Sequence, residues 1–155
     1  MEKRSRFRAC LVLGVALTVS GCGGTPLRDP FKPIENIPQN KAVVYLYRYS
    51  GVVGFMYPIR ITSNGKEVVK LRHGSYYPYL ADPGEIEFST KMAIMRTDSV
   101  TIEAKAGQVY YLAVATRTGI VGYATITKLS QQQAEPDLAQ CNLVPEKDIA
   151  VVGQQ

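Results

Sequence analysis

From residue 42 to residue 129 the chain is a series of short apolar runs, punctuated by Gly, Pro and Asn every eight to twelve residues. Runs of that length are too short for helices of ordinary size and fit strands joined by tight turns. Ala42-Val43-Val44-Tyr45-Leu46-Tyr47-Arg48-Tyr49 is apolar on both faces, which predicts a central strand covered on both sides. A second strand is expected over 56–63, and Asn64-Gly65 then marks a two-residue hairpin, because a type I′ turn needs positive φ at both positions. Lys66 to Leu71 forms the return strand, and His73-Gly74 a further turn. Ser75 to Leu80 is rich in tyrosine, and Pro78 marks it as an edge or bent strand.

Asp82-Pro83-Gly84 places Pro and Gly where a β-turn uses them. Glu85 to Thr90 alternates, with Ile86 and Phe88 pointing inward, and Ser99 to Ala104 repeats the alternation. Gln108 to Thr116 and Val121 to Leu129 are the last expected strands. Ser130 with Gln133 three residues later has the form of a helix cap, predicting a short helix to about Cys141 that Pro136 interrupts or restarts. The run Ile149 to Val152 is expected to add an edge strand or to fray. The fold class expected is all-β: an antiparallel β-sandwich of about 7–8 strands with a short C-terminal helix.

The N-terminus is organised differently. Lys3, Arg4, Arg6 and Arg8 precede an uncharged stretch from Ala9 to Val19, and small residues close it. A basic region, a short apolar core and a small-residue end make a secretory signal, and the core is too short to cross a bilayer. Val19-Ser20-Gly21-Cys22 resembles the lipobox of bacterial lipoproteins. That resemblance implies cleavage between Gly21 and Cys22, a diacylglyceryl group on the Cys22 thiol and usually an acyl chain on its amine. Two or three chains anchor stably where one binds marginally. Gly23 rather than Asp follows the cysteine, which in that family favours the outer membrane. The expected location is the outer membrane, lipid-anchored and facing the periplasm.

The domains read as a signal peptide over 1–21, a lipidated Cys22 with a Pro-rich tether over 22–40, and a sandwich domain over 41–155. Prolines at 26, 30, 33 and 38 exclude regular helix or central strand from the tether, and Phe31, Ile34 and Ile37 are positioned to pack back onto the domain.

Removing the leader changes the charge. Of 18 Lys and Arg and 13 Asp and Glu it takes four and one, leaving 14 against 12. The remaining bases include no run of three, so nothing points to nucleic acid. Cys10 leaves with the leader and Cys22 is consumed by lipid, so Cys141 remains alone, expected to be buried and inert, with an intermolecular disulfide as the alternative. His73 is the lone histidine, so neither a metal site nor a catalytic triad has partners, and no cofactor is expected. No Gly-rich phosphate loop followed by Lys and no Gly-x-Ser-x-Gly elbow is present.

Three patterns remain as candidate sites. Ser50-Gly51-Val52-Val53-Gly54-Phe55 is echoed by Thr118-Gly119-Ile120-Val121-Gly122-Tyr123. If both lie at one end of the domain, Val52, Val53, Ile120 and Val121 form an apolar tip for a protein partner; otherwise they are core. Glu85 and Glu87 lie about 7 Å apart on one strand face, a spacing that suits a glycosidase pair but equally a solvated face. Tyr45, Tyr47, Tyr49, Tyr76, Tyr77 and Tyr79 could stack on a glycan or simply fill a sheet.

The strand and turn order then resembles a family. An Ala-Val-Val-Tyr-Leu-Tyr-Arg strand, an Asn-Gly-Lys hairpin, Leu-x-x-Gly-x-Tyr-Tyr, a Pro-Gly turn and Ala-Gly-Gln-Val-Tyr-Tyr follow one another across roughly residues 41 to 143. This is similar to small bacterial lipoproteins built on a domain of unknown function, themselves similar to PEGA-type and carboxypeptidase-regulatory-like sandwiches. The resemblance implies the fold and brings no catalytic residue with it. The functional expectation is a non-enzymatic binding or structural accessory in the cell envelope. A peptidoglycan- or polysaccharide-binding module is the alternative, and an envelope hydrolase using Glu85 and Glu87 the third.

Overall fold

A computed structural model describes residues 29–50, 57–92, 97–117 and 123–150. Gly21, Cys22, Val52, Val53, Ile120 and Val121 lie outside the described residues. The described chain is mostly β. Its strands are β1 (Ala42–Arg48), β2 (Ile59–Ser63), β3 (Lys66–Leu71), β4 (Ser75–Ala81), β5 (Gly84–Lys91), β6 (Ser99–Ala104), β7 (Val109–Arg117), β8 (Tyr123–Leu129) and β9 (Asn142–Leu143). One helix, α1 (Gln131–Leu138), precedes β9.

Two sheets stack face to face. One has the order β8-β7-β1-β4-β9 and the other β3-β2-β5-β6. The contents of the core follow from alternation. Ala42, Val44 and Leu46 of β1 meet Ile59, Ile61, Val69, Leu71 and Phe88 of the second sheet, all fully buried. The expected strand count rises to nine because two residues after α1 pair with β4. The expected antiparallel arrangement is also corrected: β1 pairs with β7 in parallel, and β4 with β9 in parallel. Parallel neighbours require crossovers: β2 to β6 lie between β1 and β7, and β5 to β8 with α1 lie between β4 and β9.

The first sheet carries a third layer. Val43, Tyr45 and Tyr47 point away from the sandwich core and are buried with Tyr76, Tyr111, Ala134, Leu138 and Cys141. Phe31, Ile34 and Ile37 lie across them. Both faces of β1 are therefore covered, as its composition requires. The proline-containing stretch from Asp29 is held edge to edge with residues 141–143. The Phe31 N–H donates to the Cys141 carbonyl at 3.1 Å, and the Leu143 N–H to the Asp29 carbonyl at 2.7 Å. The Phe31 ring stands edge-on to Tyr45 and Tyr76, each at 5.1 Å.

Local signals act as their chemistry dictates. Asn64 and Gly65 have φ of 47° and 79°, and the Asn64 side chain accepts from the Glu87 N–H at 2.9 Å. Ser130 caps α1 through a capping box with Gln133. Pro136 does not interrupt α1, which runs through it to Leu138. At the sixth position it removes one donor close to where the helix ends anyway. Pro78 faces Tyr45 across β1–β4, beyond the two residues that β9 reaches, so β4 has become an outer strand there. Ile149 bridges Val69 and extends the edge of β3 by one contact.

Candidate functional site

The topology defines two unlike ends. At one end β1, β7, β3 and β5 finish, and β2, β4, β6 and β8 begin. Because β1 and β7 are parallel and adjacent, the stretches that follow both leave from this end, here called the loop end. The same end exposes three tyrosines: Tyr49 after β1 (43%), Tyr57 before β2 (63%) and Tyr123 opening β8 (37%).

Beneath it lies a polar clamp between the sheets. Thr90 is fully buried; its N–H donates to the Asp98 carbonyl, and its hydroxyl donates to the Ala124 carbonyl of the opposite sheet and accepts from the Asp98 N–H. The Asp98 carboxylate accepts from the Ile126 N–H at 3.0 Å. An open cavity of about 260 Å³ beside this clamp is lined by Thr97, Asp98, Tyr123, Ala124 and Thr125.

Arg48 ends β1 and is buried despite its charge. Its guanidinium donates to the Tyr57 carbonyl at 2.7 Å and the Leu71 carbonyl at 3.3 Å, tying β1 to the second sheet. Burial pushes its pKa down to about 10, so it stays cationic at neutral pH. The neighbouring Cys141 thiol donates to the Asp137 carbonyl at 3.3 Å. Burial, with Asp137 adding to it, pushes that thiol up to about 12, so it is protonated and inert at neutral pH.

The outer face of the second sheet shows what the sequence concealed. Arg60 lies opposite Lys70 on β3 and Lys91 on β5, so three bases stand side by side across three strands, one residue from the loop end. They are 10 to 31 residues apart in the chain, so no run betrays them; only the register does. Glu67 approaches Lys70 at 3.8 Å, and no ion pair to Arg60 or Lys91 forms among the described residues. Further along the same face the sign reverses: Glu85 lies opposite Glu103, with Glu87 beside them.

Glu85 and Glu87 are both exposed on β5, and neither lines the cavity described above. Tyr45, Tyr47 and Tyr76 are buried under α1 and the 29–38 stretch, so that tyrosine face is not a surface. Tyr45 stacks on Tyr111 at 5.6 Å, and its hydroxyl accepts from the Ile34 N–H at 2.7 Å. Burial raises the pKa of both hydroxyls. Burial also carries Tyr47 well above the usual phenol range, and among the described residues its hydroxyl has no hydrogen-bond partner. His73 is half-buried in the turn between β3 and β4. Among the described residues no group of three or more His, Cys, Asp or Glu could hold a metal ion, and no helix is long and apolar enough to cross a membrane.

Compared with known proteins, the chain matches no protein-family model and no curated protein.

Proposed function

We propose that this protein is a lipoprotein of the bacterial envelope, held by acyl chains on Cys22 in the outer membrane, facing the periplasm, and acting as a non-enzymatic binding or structural accessory. Its domain is a sandwich of the small-lipoprotein kind that its strand order resembles. Its working face is the loop end. The observation that carries this choice is the parallel pairing of β1 with β7, from Val43–Val109 to Tyr47–Ala113. It brings together the strand ends flanking the two Gly-x-x-Gly echoes, whose Val52, Val53, Ile120 and Val121 supply the apolar side chains. A partner in the envelope meets that end.

The test has two parts. Radiolabelled palmitate should enter the full-length protein and not its Cys22→Ala variant. Photocrosslinking from the loop end in intact cells should then give one discrete protein adduct, lost when Val52, Val53, Ile120 and Val121 are together changed to Ser with the circular dichroism spectrum unchanged. A quadruple variant that keeps every adduct removes the loop end from consideration, and adducts to muropeptides alone move the reading to glycan binding.

A further inference from the structure

We propose that the loop-end rim of the second sheet, Lys70, Arg60 and Lys91, docks on the anionic phospholipid headgroups of the membrane in which the protein is anchored. This rests on the reading of Cys22 as the lipidated residue.

The first support is reach. Six residues separate Cys22 from Asp29, which the fold holds through its carbonyl. A chain extends at most about 3.3–3.6 Å per residue, so Asp29 lies within roughly 25 Å of the acylated residue. Asp29 bonds to Leu143, which pairs with Tyr76, the second residue of β4. The anchor therefore joins the fold beside the loop end. The far end of β4, at Ala81, is about 17 Å further along by strand rise.

Charge is the second support. Adjacent strands are about 4.8 Å apart, so the row sets three cations across roughly 10 Å. Like charges directly opposite one another in a sheet destabilise it. A row with one acid at 3.8 Å and no other ion pair among the described residues is relieved when an anionic surface faces it. The reversal of sign along the same face, toward Glu85, Glu87 and Glu103, orients the molecule with its loop end toward anions and its acidic end away.

The third support is the exposed trio Tyr49, Tyr57 and Tyr123 at the same end. Tyrosine presents an apolar ring and a polar hydroxyl, which suits the headgroup layer. Cations and interfacial aromatics thus lie at the end of the fold where Asp29 joins it.

The experiment uses the mature chain with Cys22→Ser, so that binding is read without the anchor. Flotation is measured at low salt with vesicles of phosphatidylglycerol and phosphatidylethanolamine, and with phosphatidylcholine vesicles. The expected result is binding to the anionic vesicles alone. It weakens about 100-fold in a Lys70→Gln, Arg60→Gln, Lys91→Gln triple variant, at about fivefold per charge. It also falls steeply as salt rises. A control triple, Lys66→Gln, Lys105→Gln and Lys128→Gln, removes the same net charge from the other end and should bind as the parent does. Equal loss in both triples reduces the effect to net charge and overturns the proposal. So does equal binding to phosphatidylcholine, or retention on peptidoglycan sacculi with none on vesicles. Palmitate labelling of the unmodified protein reports separately on Cys22, so failure of the anchor and failure of the rim give different results.

Discussion

Replacing Phe31 with Ala tests whether the stretch from Asp29 is part of the fold. Full burial makes a Phe→Ala change cost about 3–5 kcal/mol. Phe31 is half-buried, which brings the packing share to about 2 kcal/mol. Its two edge-on contacts, with Tyr45 and Tyr76, add about 1 kcal/mol more. The expected loss is therefore about 3 kcal/mol, or roughly a 10 °C fall in Tm for a domain of this size. The loss has a ceiling, because once the stretch lifts off the mutation has nothing further to remove. Urea unfolding of the chain from residue 22 onward, with Cys22→Ser, gives the magnitude, and amide exchange gives the place. Two amides are diagnostic: Phe31, which donates to Cys141, and Leu143, which donates to Asp29. Both should lose protection while the Leu46 and Leu112 amides in the sheet keep theirs. A variant that loses less than about 1 kcal/mol with both amides still protected would refute the view of Phe31 as the rivet of the third layer.

Three further outcomes follow from single groups. Tyr47→Phe removes a buried hydroxyl that no described group satisfies and should raise stability by about 1 kcal/mol in urea unfolding. Gly74→Ala should cost more than Gly65→Ala: both have positive φ, but a Cβ on Gly74 would lie 2.6 Å from the Ser50 hydroxyl, whereas one on Gly65 meets nothing. Adding Ser50→Ala should recover the difference, read as Tm. The raised pKa of Cys141 means that the folded state holds its proton more tightly than the unfolded chain does. The stability this lends is complete below about pH 9 and is lost as pH rises toward 12, so Cys141→Ala should show a shallower alkaline decline in unfolding free energy.

Much of the local structure was legible because it is written in neighbouring residues. Asn64-Gly65, the inward Ile86 and Phe88, the Ser130–Gln133 cap and the double burial of β1 each depend on a few adjacent positions. Strand order does not. Nothing in the period of Ala42–Arg48 distinguishes β7 from β8 as its neighbour, so the parallel pairing stayed hidden. The partners of Arg48 are hidden for a related reason: only the folded chain brings the Tyr57 and Leu71 carbonyls to it. The Lys70–Arg60–Lys91 row is the clearest case. A charge count along the chain cannot see it, because the β2–β3 bulge and the β2–β5 register decide which bases become neighbours.

The pairing of β1 with β7 also bears on when the molecule becomes a folded object. Val43 and Val109 are 66 residues apart, and the strand at the centre of the first sheet lacks one flank until the chain has emerged past Ala113. Contacts so distant in sequence make folding slow, because a large loop must close before they contribute. The strand that lies deepest in the finished protein thus acts as a timer: the first sheet stays open along one side of β1 until the residues of β7 are available to close it.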